Sequence, residues 1–273
     1  MKSVLLVVLV GLSLVMSGCE DTDMGLAIEA GRDALQAATL TDEEVHQLAL
    51  AVARKTDRKH TVAPEDNPYA ERLERLVGRG GGYDGVQFNF KVYLAPTVNA
   101  FAMADGTIRV YSGLMDMLDD RELVFVVGHE MGHVVARHIK KKIMLAYAGR
   151  AARKAVASQQ NTAGEIARSA IGGLVEKLVN AQFSQQEERE ADDYGVLYLQ
   201  RLGYDVQPAV SALNKLATLG NRHAFLSSHP APKARAERMG TETYNPRAVV
   251  ESSLLERLWA WIKSFWPYGL SLI

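Results

Sequence analysis

The stretch that decides the fold is VVGHEMGHVVARH, residues 126–138, which holds three of the chain's seven histidines. His129 and His133 are four residues apart, so on a helix their side chains lie on one face, a turn apart. Glu130 lies about 100° further round the helix, near enough to contact a water on a shared ion. This H-E-x-x-H spacing suits zinc, which lowers the pKa of a bound water to about 7 while the carboxylate accepts its proton.

A catalytic zinc also needs a third protein ligand and an open position. His138 lies nine residues after His129, about half a turn out of phase, so an unbroken helix directs it away from the ion. The metzincin pattern would need glycine at Ala136 and histidine at Ile139, and neither is present. We therefore interpret His138 as a surface histidine or one that lies behind the ligands.

The segment SQQEEREADDYG, residues 184–195, supplies a better third ligand. Glu188 and Asp192 are four residues apart on one helix face, so the first can ligate zinc while the second accepts the free N–H of a ligand histidine. Glu187 and Glu190 compete with Glu188, but neither has an acid four residues later. The sequence therefore predicts one Zn²⁺ per chain, held by two imidazoles and a carboxylate.

The amino terminus, MKSVLLVVLVGLSLVMSGC, has a positive residue, an apolar run and small residues before the chain's single cysteine. This layout is typical of a secretory signal peptide. The small residues before the cysteine resemble a bacterial lipobox, which implies a lipoprotein signal peptide at residues 1–18 with Cys19 as the lipidated residue. The apolar run is shorter than the about 20 residues that span a bilayer. The alternatives are a simple secretory signal with a free thiol and an uncleaved anchor. Residues 19–40 are expected to form a loosely ordered tether.

The rest of the chain is mainly helical, with few strands that lie close together in sequence, which indicates an α+β fold with a small β-sheet. The composition, 48% hydrophobic with a net charge of -1, is ordinary for a globular protein and gives no indication of nucleic-acid binding. The predicted elements are a helix from Thr41, a helix within 67–85, a strand at Val86–Ala95, a hairpin at 99–111, a short helix, a long helix from Asp119 or Asp120 to about Ser158, and helices at roughly 163–182, 185–202 and 206–219.

Four segments, NAFAMADGTIRVYSGLM, HEMGH, EREADDYG and SSHPAPKAR, together resemble the HtpX and CAAX-prenyl-endopeptidase family of gluzincin metallopeptidases. The likeness covers roughly residues 25–240 and is greatest to the soluble periplasmic lipoprotein branch. It implies a zincin-like domain, here 41–245, that cleaves polypeptides. It also implies that Glu188 is the third zinc ligand, Asp192 orients a zinc histidine and Glu130 is the general base.

The resemblance carries over to further residues. His229 matches a histidine near the zinc, which would either hydrogen-bond the oxyanion or occupy the open position and hold the enzyme latent. The alternative is that His229 has no role at the site and is an ordinary loop histidine beside Pro230. Arg235 matches an arginine that would bind the substrate backbone or pair with an acid. The segment from Asn99 through Ala100, Phe101 and Ala102 to Met103 matches an edge strand beside the active site, able to pair with an extended substrate.

The C-terminal segment, residues 246–273, carries all three tryptophans on a helical pattern. It predicts an amphipathic helix that either contacts the membrane interface or packs on the domain. Cys19 is followed by Glu20 and not by the aspartate usually linked to inner-membrane retention. The expected location is therefore the periplasmic face of the outer membrane, with inner-membrane retention left open.

The resemblance implies quality control of misfolded or misassembled envelope proteins, with possible association with outer-membrane assembly machinery or a related protease. The rival hypothesis is a zinc-containing periplasmic chaperone for outer-membrane proteins that cuts little or not at all. The intact Glu130 argues against the rival, because a pure binder needs no base.

Overall fold

The computed structural model describes residues 23–78, 81–159, 182–220, 224–241 and 243–246. The predicted signal peptide, Cys19, nearly all of the helix expected at roughly 163–182, and the C-terminal segment beyond 246 lie outside the described residues. The chain divides into two compact units, Met1–Thr41 with Lys141–Val179, and Asp42–Lys140 with Asn180–Ile273. Every residue proposed above for the metal site belongs to the second unit.

The first unit contains helix α1, Met24–Thr39, which begins at Asp23 as N-cap. The expectation of a loosely ordered tether is therefore wrong for 24–39. Asp33, which is buried, explains the difference, because it binds Arg150 and its Oδ2 lies 3.0 Å from Lys154 Nζ. These partners lie on the helix that starts at His138, so the sequence near the terminus alone does not reveal them.

The second unit contains most of the helices and the whole sheet. The expected helices near 41, 67, 112, 185 and 206 are all present. In chain order the helices are α2 (Asp42–Asp57), α3 (Pro68–Val77), α4 (Ser112–Met117), α5 (Asp120–Val135), α6 (His138–Ala157, which continues into the first unit), α7 (Gln185–Arg201), α8 (Gln207–Ala217), α9 (Ala224–Ser228) and α10 (Pro232–Met239).

Four strands form a mixed sheet in the order β1-β2-β4-β3. The strands are β1 (Gly81–Tyr83), β2 (Val86–Tyr93), β3 (Ala100–Ala102) and β4 (Thr107–Tyr111). The predicted hairpin is β3 with β4, which pair antiparallel with Ala100 opposite Val110, whereas β2 and β4 are parallel. The sheet packs on α5 through β3 and β4, so the edge strand lies beside the H-E-x-x-H helix. The α+β class is confirmed.

Helix α5 lies at the centre of this unit and is buried along nearly its whole length. Asp119 caps it, because its side chain accepts from Glu122 N while the Glu122 side chain accepts from Asp119 N. The opposite end packs closely on α7, and glycines make this possible. A Cβ at Gly132 would lie 3.0 Å from Ala191 Cα, and one at Gly195 would lie 3.1 Å from His129 N. Small residues thus bring the two helix axes together at the metal-site motifs.

The long helix predicted from Asp119 or Asp120 to about Ser158 is wrong in one respect, since it is two helices. α5 ends at Val135, Arg137 takes a left-handed conformation with φ of 58°, and α6 starts at His138. No glycine or proline marks this break in the sequence. The conformation of Arg137 turns the side chain of His138 towards His133.

Candidate metal centre

Four buried side chains converge in the second unit: His129 and His133 from α5, Glu188 from the first turns of α7, and His229 directly after α9. One donor atom from each lies within 4.8 Å of all the others. None of the four residues is more than 1% exposed. The H-E-x-x-H motif and the segment 184–195, which are about fifty residues apart in the sequence, therefore direct their side chains to one point.

The spacing of the donor atoms is that of ligands round a small cation. His129 Nε2 lies 3.1 Å from His133 Nε2 and 3.2 Å from His229 Nδ1. Glu188 Oε1 lies 3.5 Å from His133 Nε2 and 3.0 Å from His229 Nδ1. Zinc–nitrogen bonds of 2.0–2.1 Å at tetrahedral angles would separate two ligand atoms by about 3.3 Å.

The tautomer of His129 supports the same conclusion. Its Nδ1 lies 3.1 Å from Asp192 Oδ1, and because an ionised carboxylate only accepts, Nδ1 carries the proton. The Nε2 atom therefore presents a lone pair to the centre. Burial holds the pKa of His133 well below its usual range, so that imidazole is neutral as a metal ligand must be. Two imidazoles and a carboxylate are a donor set that suits zinc.

A guanidinium keeps both acids of α7 charged. Burial alone would raise the pKa of Glu188 and of Asp192, but Arg235 opposes it in each case and both pKa values lie below their usual range. Arg235 Nη1 is 2.5 Å from Glu188 Oε2, and its Nε donates to Asp192 Oδ2 at 2.9 Å. Of the two roles that the resemblance left open for Arg235, this geometry supplies the pairing with an acid. Binding of a substrate backbone stays a prediction.

Glu130 lies at the centre without joining the four donors. It is buried, its Oε1 accepts no hydrogen bond from any described residue, and that atom lies 3.3 Å from His229 Nε2. A buried carboxylate oxygen without a donor is available to take a proton. This is the position that the sequence predicted for the base.

His138 is not one of the four donors, in agreement with the sequence interpretation. It is buried rather than at the surface, with Nδ1 3.0 Å from His133 Nδ1 and Nε2 2.9 Å from Glu190 Oε2. It therefore lies behind a ligand, which is the second of the two positions that were left open.

One neighbour of the centre was missed by sequence reasoning. The ring of Phe183 stacks on His133 with centroids 3.7 Å apart and also packs against His229. Phe183 immediately precedes the cap of α7, Ser184. An aromatic residue at the entry to the helix that carries Glu188 was the available signal.

The expected substrate edge is present. Among the described strands, β3 pairs with β4 alone, so its other side is the edge of the sheet. Asn99 directly precedes β3, and its carbonyl accepts from Tyr111 N at 3.0 Å. The structure thus brings Asn99 to Ala102 to the edge beside α5, and pairing with a substrate remains to be tested.

Two helices that present a histidine pair, a distant glutamate and an adjacent glutamate base define a zinc metallopeptidase of the gluzincin type. The sequence model of the family described as Peptidase family M48 matches residues 64–243, so the chain belongs to this family. The resemblance found in the sequence is confirmed. The protein is a zinc-dependent metalloendopeptidase.

Curated relatives agree with this family. Metalloprotease LoiP of Escherichia coli K12 is 42% identical over 240 residues, 87% of this chain and 95% of that protein. Metalloprotease YcaL of the same organism is 37% identical, covering 81% of this chain and 90% of its own. The E. coli K12 β-barrel assembly-enhancing protease is 30% identical over 54% of this chain, which spans 33% of that protein.

Proposed function

We propose that this metalloendopeptidase acts in the bacterial cell envelope, where it hydrolyses peptide bonds of misfolded or misassembled envelope proteins. The observation that carries the proposal is the convergence of His129, His133 and Glu188 on one point beside Glu130. The similarity to LoiP and YcaL over most of both chains supports a role like theirs. The relative named for β-barrel assembly supports association with outer-membrane assembly machinery or a related protease.

We infer that His129, His133 and Glu188 hold the zinc and that Asp192 fixes the tautomer of His129. Bound zinc supplies a lowered pKa for water and polarisation of the scissile carbonyl. Glu130 accepts the proton from the attacking water and delivers it to the departing amine, since its free Oε1 faces the donors. Arg235 holds the carboxylates of Glu188 and Asp192 ionised and in place.

The described conformation favours the latent alternative for His229. Its Nδ1 lies at ligand-like distances from both His129 Nε2 and Glu188 Oε1, where a fourth donor would stand. We infer that this imidazole must withdraw before water and substrate can enter. Its other nitrogen faces Glu130, so withdrawal also releases the base.

The substrate is proposed to be an extended polypeptide that pairs with the edge of β3, at Asn99 to Ala102. A groove of about 630 Å³ lies between the β1–β2 turn, the β3–β4 turn, the start of α2 and the end of α5. It includes Ala104, Asp105 and Val134, which follow the edge strand and His133 in sequence. The groove is therefore placed to receive the part of a substrate that extends past the metal.

We also propose that Cys19 is lipidated and anchors the enzyme at the periplasmic face of the outer membrane, with inner-membrane retention as the alternative, and that residues 246–273 either pack on the domain or add a membrane contact. Among the described residues, no helix has the length and apolarity to cross a bilayer. The test is metabolic labelling with a palmitate analogue, which the wild type incorporates and Cys19→Ala does not. Membrane fractionation then assigns the bilayer.

The chaperone alternative is not favoured, because the chain belongs to a peptidase family and retains a buried base. Glu130→Gln decides the matter. We expect it to bind zinc as the wild type does and to lose casein cleavage by at least about 100-fold, since a general base contributes 10²–10⁴-fold. Glu71→Gln, the same exchange at an exposed position of α3, is the matched control.

Unchanged cleavage by Glu130→Gln refutes this mechanism. A wild type that protects a client from aggregation but yields no fragments at any zinc concentration supports the chaperone instead. Loss of zinc from Glu188→Ala, measured by metal analysis, tests the ligand assignment separately.

A further inference from the structure

His138 lies where an unbroken helix would not place it. Five residues after His133, a continuing α-helix would direct its side chain about 140° away. The break at Arg137 instead brings the two rings together, edge to face, with centroids 5.1 Å apart and the Nδ1 atoms 3.0 Å apart. His138 is 3% exposed, so water does not compete for this contact.

The far side of His138 determines which nitrogen carries its proton. Its Nε2 lies 2.9 Å from Glu190 Oε2, and an ionised carboxylate can only accept, so Nε2 is the donor. Gln186 Nε2 donates to the other oxygen of Glu190 at 3.1 Å, which holds that carboxylate from one turn earlier on α7.

The protonated nitrogen of His138 then determines which nitrogen of His133 carries its proton. A neutral His138 with its proton on Nε2 has a lone pair on Nδ1, so it accepts a hydrogen bond from His133 Nδ1. His133, with its proton on Nδ1, directs the lone pair of Nε2 to the centre, 3.1 Å from His129 Nε2. Glu190 and His138 thereby produce at His133 the same tautomer that Asp192 produces at His129.

We propose that His138 and Glu190 form a positioning pair for the zinc ligand His133. The inference rests on the proposed role of His133 as a ligand. The two ligand histidines are then oriented by different means: Asp192 acts directly on His129, whereas Glu190 acts on His133 through a second imidazole. Both acids belong to α7, so the helix that supplies Glu188 also orients both histidines of α5.

The backbone between the two histidines supports a functional reason for the break. Arg137 has a left-handed conformation, which is unfavourable for a residue that carries a side chain. Its side chain and that of Lys140 pair with Asp42, but Arg137 and Asp42 are both exposed, so their pair contributes little. Strained residues of this kind concentrate at functional sites. Here the conformation has a clear result, since it turns His138 towards His133.

Zinc affinity tests the proposal, measured by competition with a chelator of known affinity on the mature full-length protein. His138→Leu removes the acceptor for His133 and is expected to weaken zinc binding by about 10–100-fold, the usual effect of losing a partner of a metal ligand. His138→Gln should restore most of the affinity, because its amide oxygen accepts from His133 while its NH₂ group donates to Glu190. His46→Leu, the same exchange at an exposed histidine of α2, is the matched control.

Wild-type zinc affinity in a folded His138→Leu protein would overturn the proposal. So would equal losses in the Leu and Gln variants, since a purely steric role would not distinguish them by hydrogen bonding. His133→Ala separates this proposal from the function it rests on. If His133→Ala retains zinc, the ligand assignment itself fails, whereas if only His138→Leu retains zinc, the positioning role alone fails.

A second measurement needs no variant and decides the matter if His138→Leu does not fold. In ¹⁵N-histidine spectra of the zinc-loaded wild type, His138 should show a protonated Nε2 and a bare Nδ1. Protonation of His138 on Nδ1, alone or together with Nε2, would rule out the proposed direction of the hydrogen bond.

Discussion

At the scale of single residues, the centre is a set of side chains whose charges are fixed by their neighbours. Glu188 and Asp192 stay ionised in a buried site because Arg235 lies against both. Arg235 in turn has a pKa raised above its usual range, since the nearby carboxylates outweigh its burial. Removing Arg235 would leave two buried carboxylates without the charge that they share, which is a costly change.

His229 provides the first prediction at this scale. His229→Ala removes the fourth donor, so a larger fraction of the enzyme is competent to bind water and substrate. We therefore expect casein cleavage to rise severalfold with zinc still bound. If His229 instead stabilises the oxyanion, the rate of casein cleavage should fall by about 10²–10³-fold. The initial rate on casein, with the zinc content measured in parallel, distinguishes the two roles.

Asp193 provides a prediction of pH dependence. Burial raises its pKa from 3.8 to about 6, although Arg238 and Tyr244 bind its Oδ1 and oppose the change. The folded state therefore binds this proton more tightly than the unfolded state. The resulting stabilisation is full below pH 4 and is lost as the pH rises through 6.

Asp193→Asn removes this titration while its amide oxygen still accepts hydrogen bonds. The free energy of unfolding of the variant, relative to wild type, should be higher at pH 7.5 than at pH 4.5. Urea denaturation of both proteins in a chelator measures the difference without interference from metal release. A difference that does not change with pH would show that Asp193 has an ordinary pKa.

At the scale of elements, the contact between α5 and α7 positions the metal ligands. A Cβ at Gly132 would meet the backbone of Ala191, which cannot move aside without displacing α7. Gly132→Ala should therefore lower the free energy of unfolding by about 1–3 kcal/mol, as overpacking does, and weaken zinc binding as well. Urea denaturation and chelator competition measure the two effects.

Gly149→Ala is the control for that exchange. Gly149 lies within α6 and has nothing within 4 Å of the position of a Cβ. Because glycine costs a helix about 0.5–1 kcal/mol relative to alanine, this variant should be as stable as wild type or more so. Equal behaviour of the two alanine variants would mean that close helix approach is not what Gly132 provides.

The elements also show what the sequence can and cannot predict. The i, i+4 spacing of His129 with His133 and of Glu188 with Asp192 places each pair on one helix face, and the structure brings both faces together. The break at Arg137 has no signal in the sequence, since the residue there is one that normally continues a helix. The helix α1 was missed because Arg150, the partner of the buried Asp33, lies more than a hundred residues later.

At the scale of the whole molecule, the metal would link parts of the second unit that are distant in the chain. The donors come from α5, α7 and the residue after α9. A ligand that binds only the folded state stabilises it, by about 4 kcal/mol at a free concentration a thousand times its dissociation constant. Zinc should therefore raise the midpoint of thermal unfolding considerably.

Thermal scans with EDTA and after zinc is restored measure this effect. The wild type should lose several degrees in the chelator and regain them with zinc, whereas Glu188→Ala should respond much less. A wild type whose midpoint is the same in both conditions, at a measured stoichiometry of one zinc per chain, would show that the site does not couple to folding.

The shortness of β3 has a consequence for what the proposed enzyme can digest. The strand offers an incoming peptide only three residues of backbone, Ala100–Ala102. Each hydrogen bond formed there contributes a net of about 0.5–1.5 kcal/mol, so the affinity of β3 for a substrate is low. Because these bonds involve only the backbone, the affinity does not depend on the side chains of the substrate. Only a polypeptide with an unfolded segment, whose backbone groups are unpaired, can bind along this strand edge. The enzyme would then select misfolded over folded proteins because only the misfolded ones expose such a segment, and no recognition motif is required.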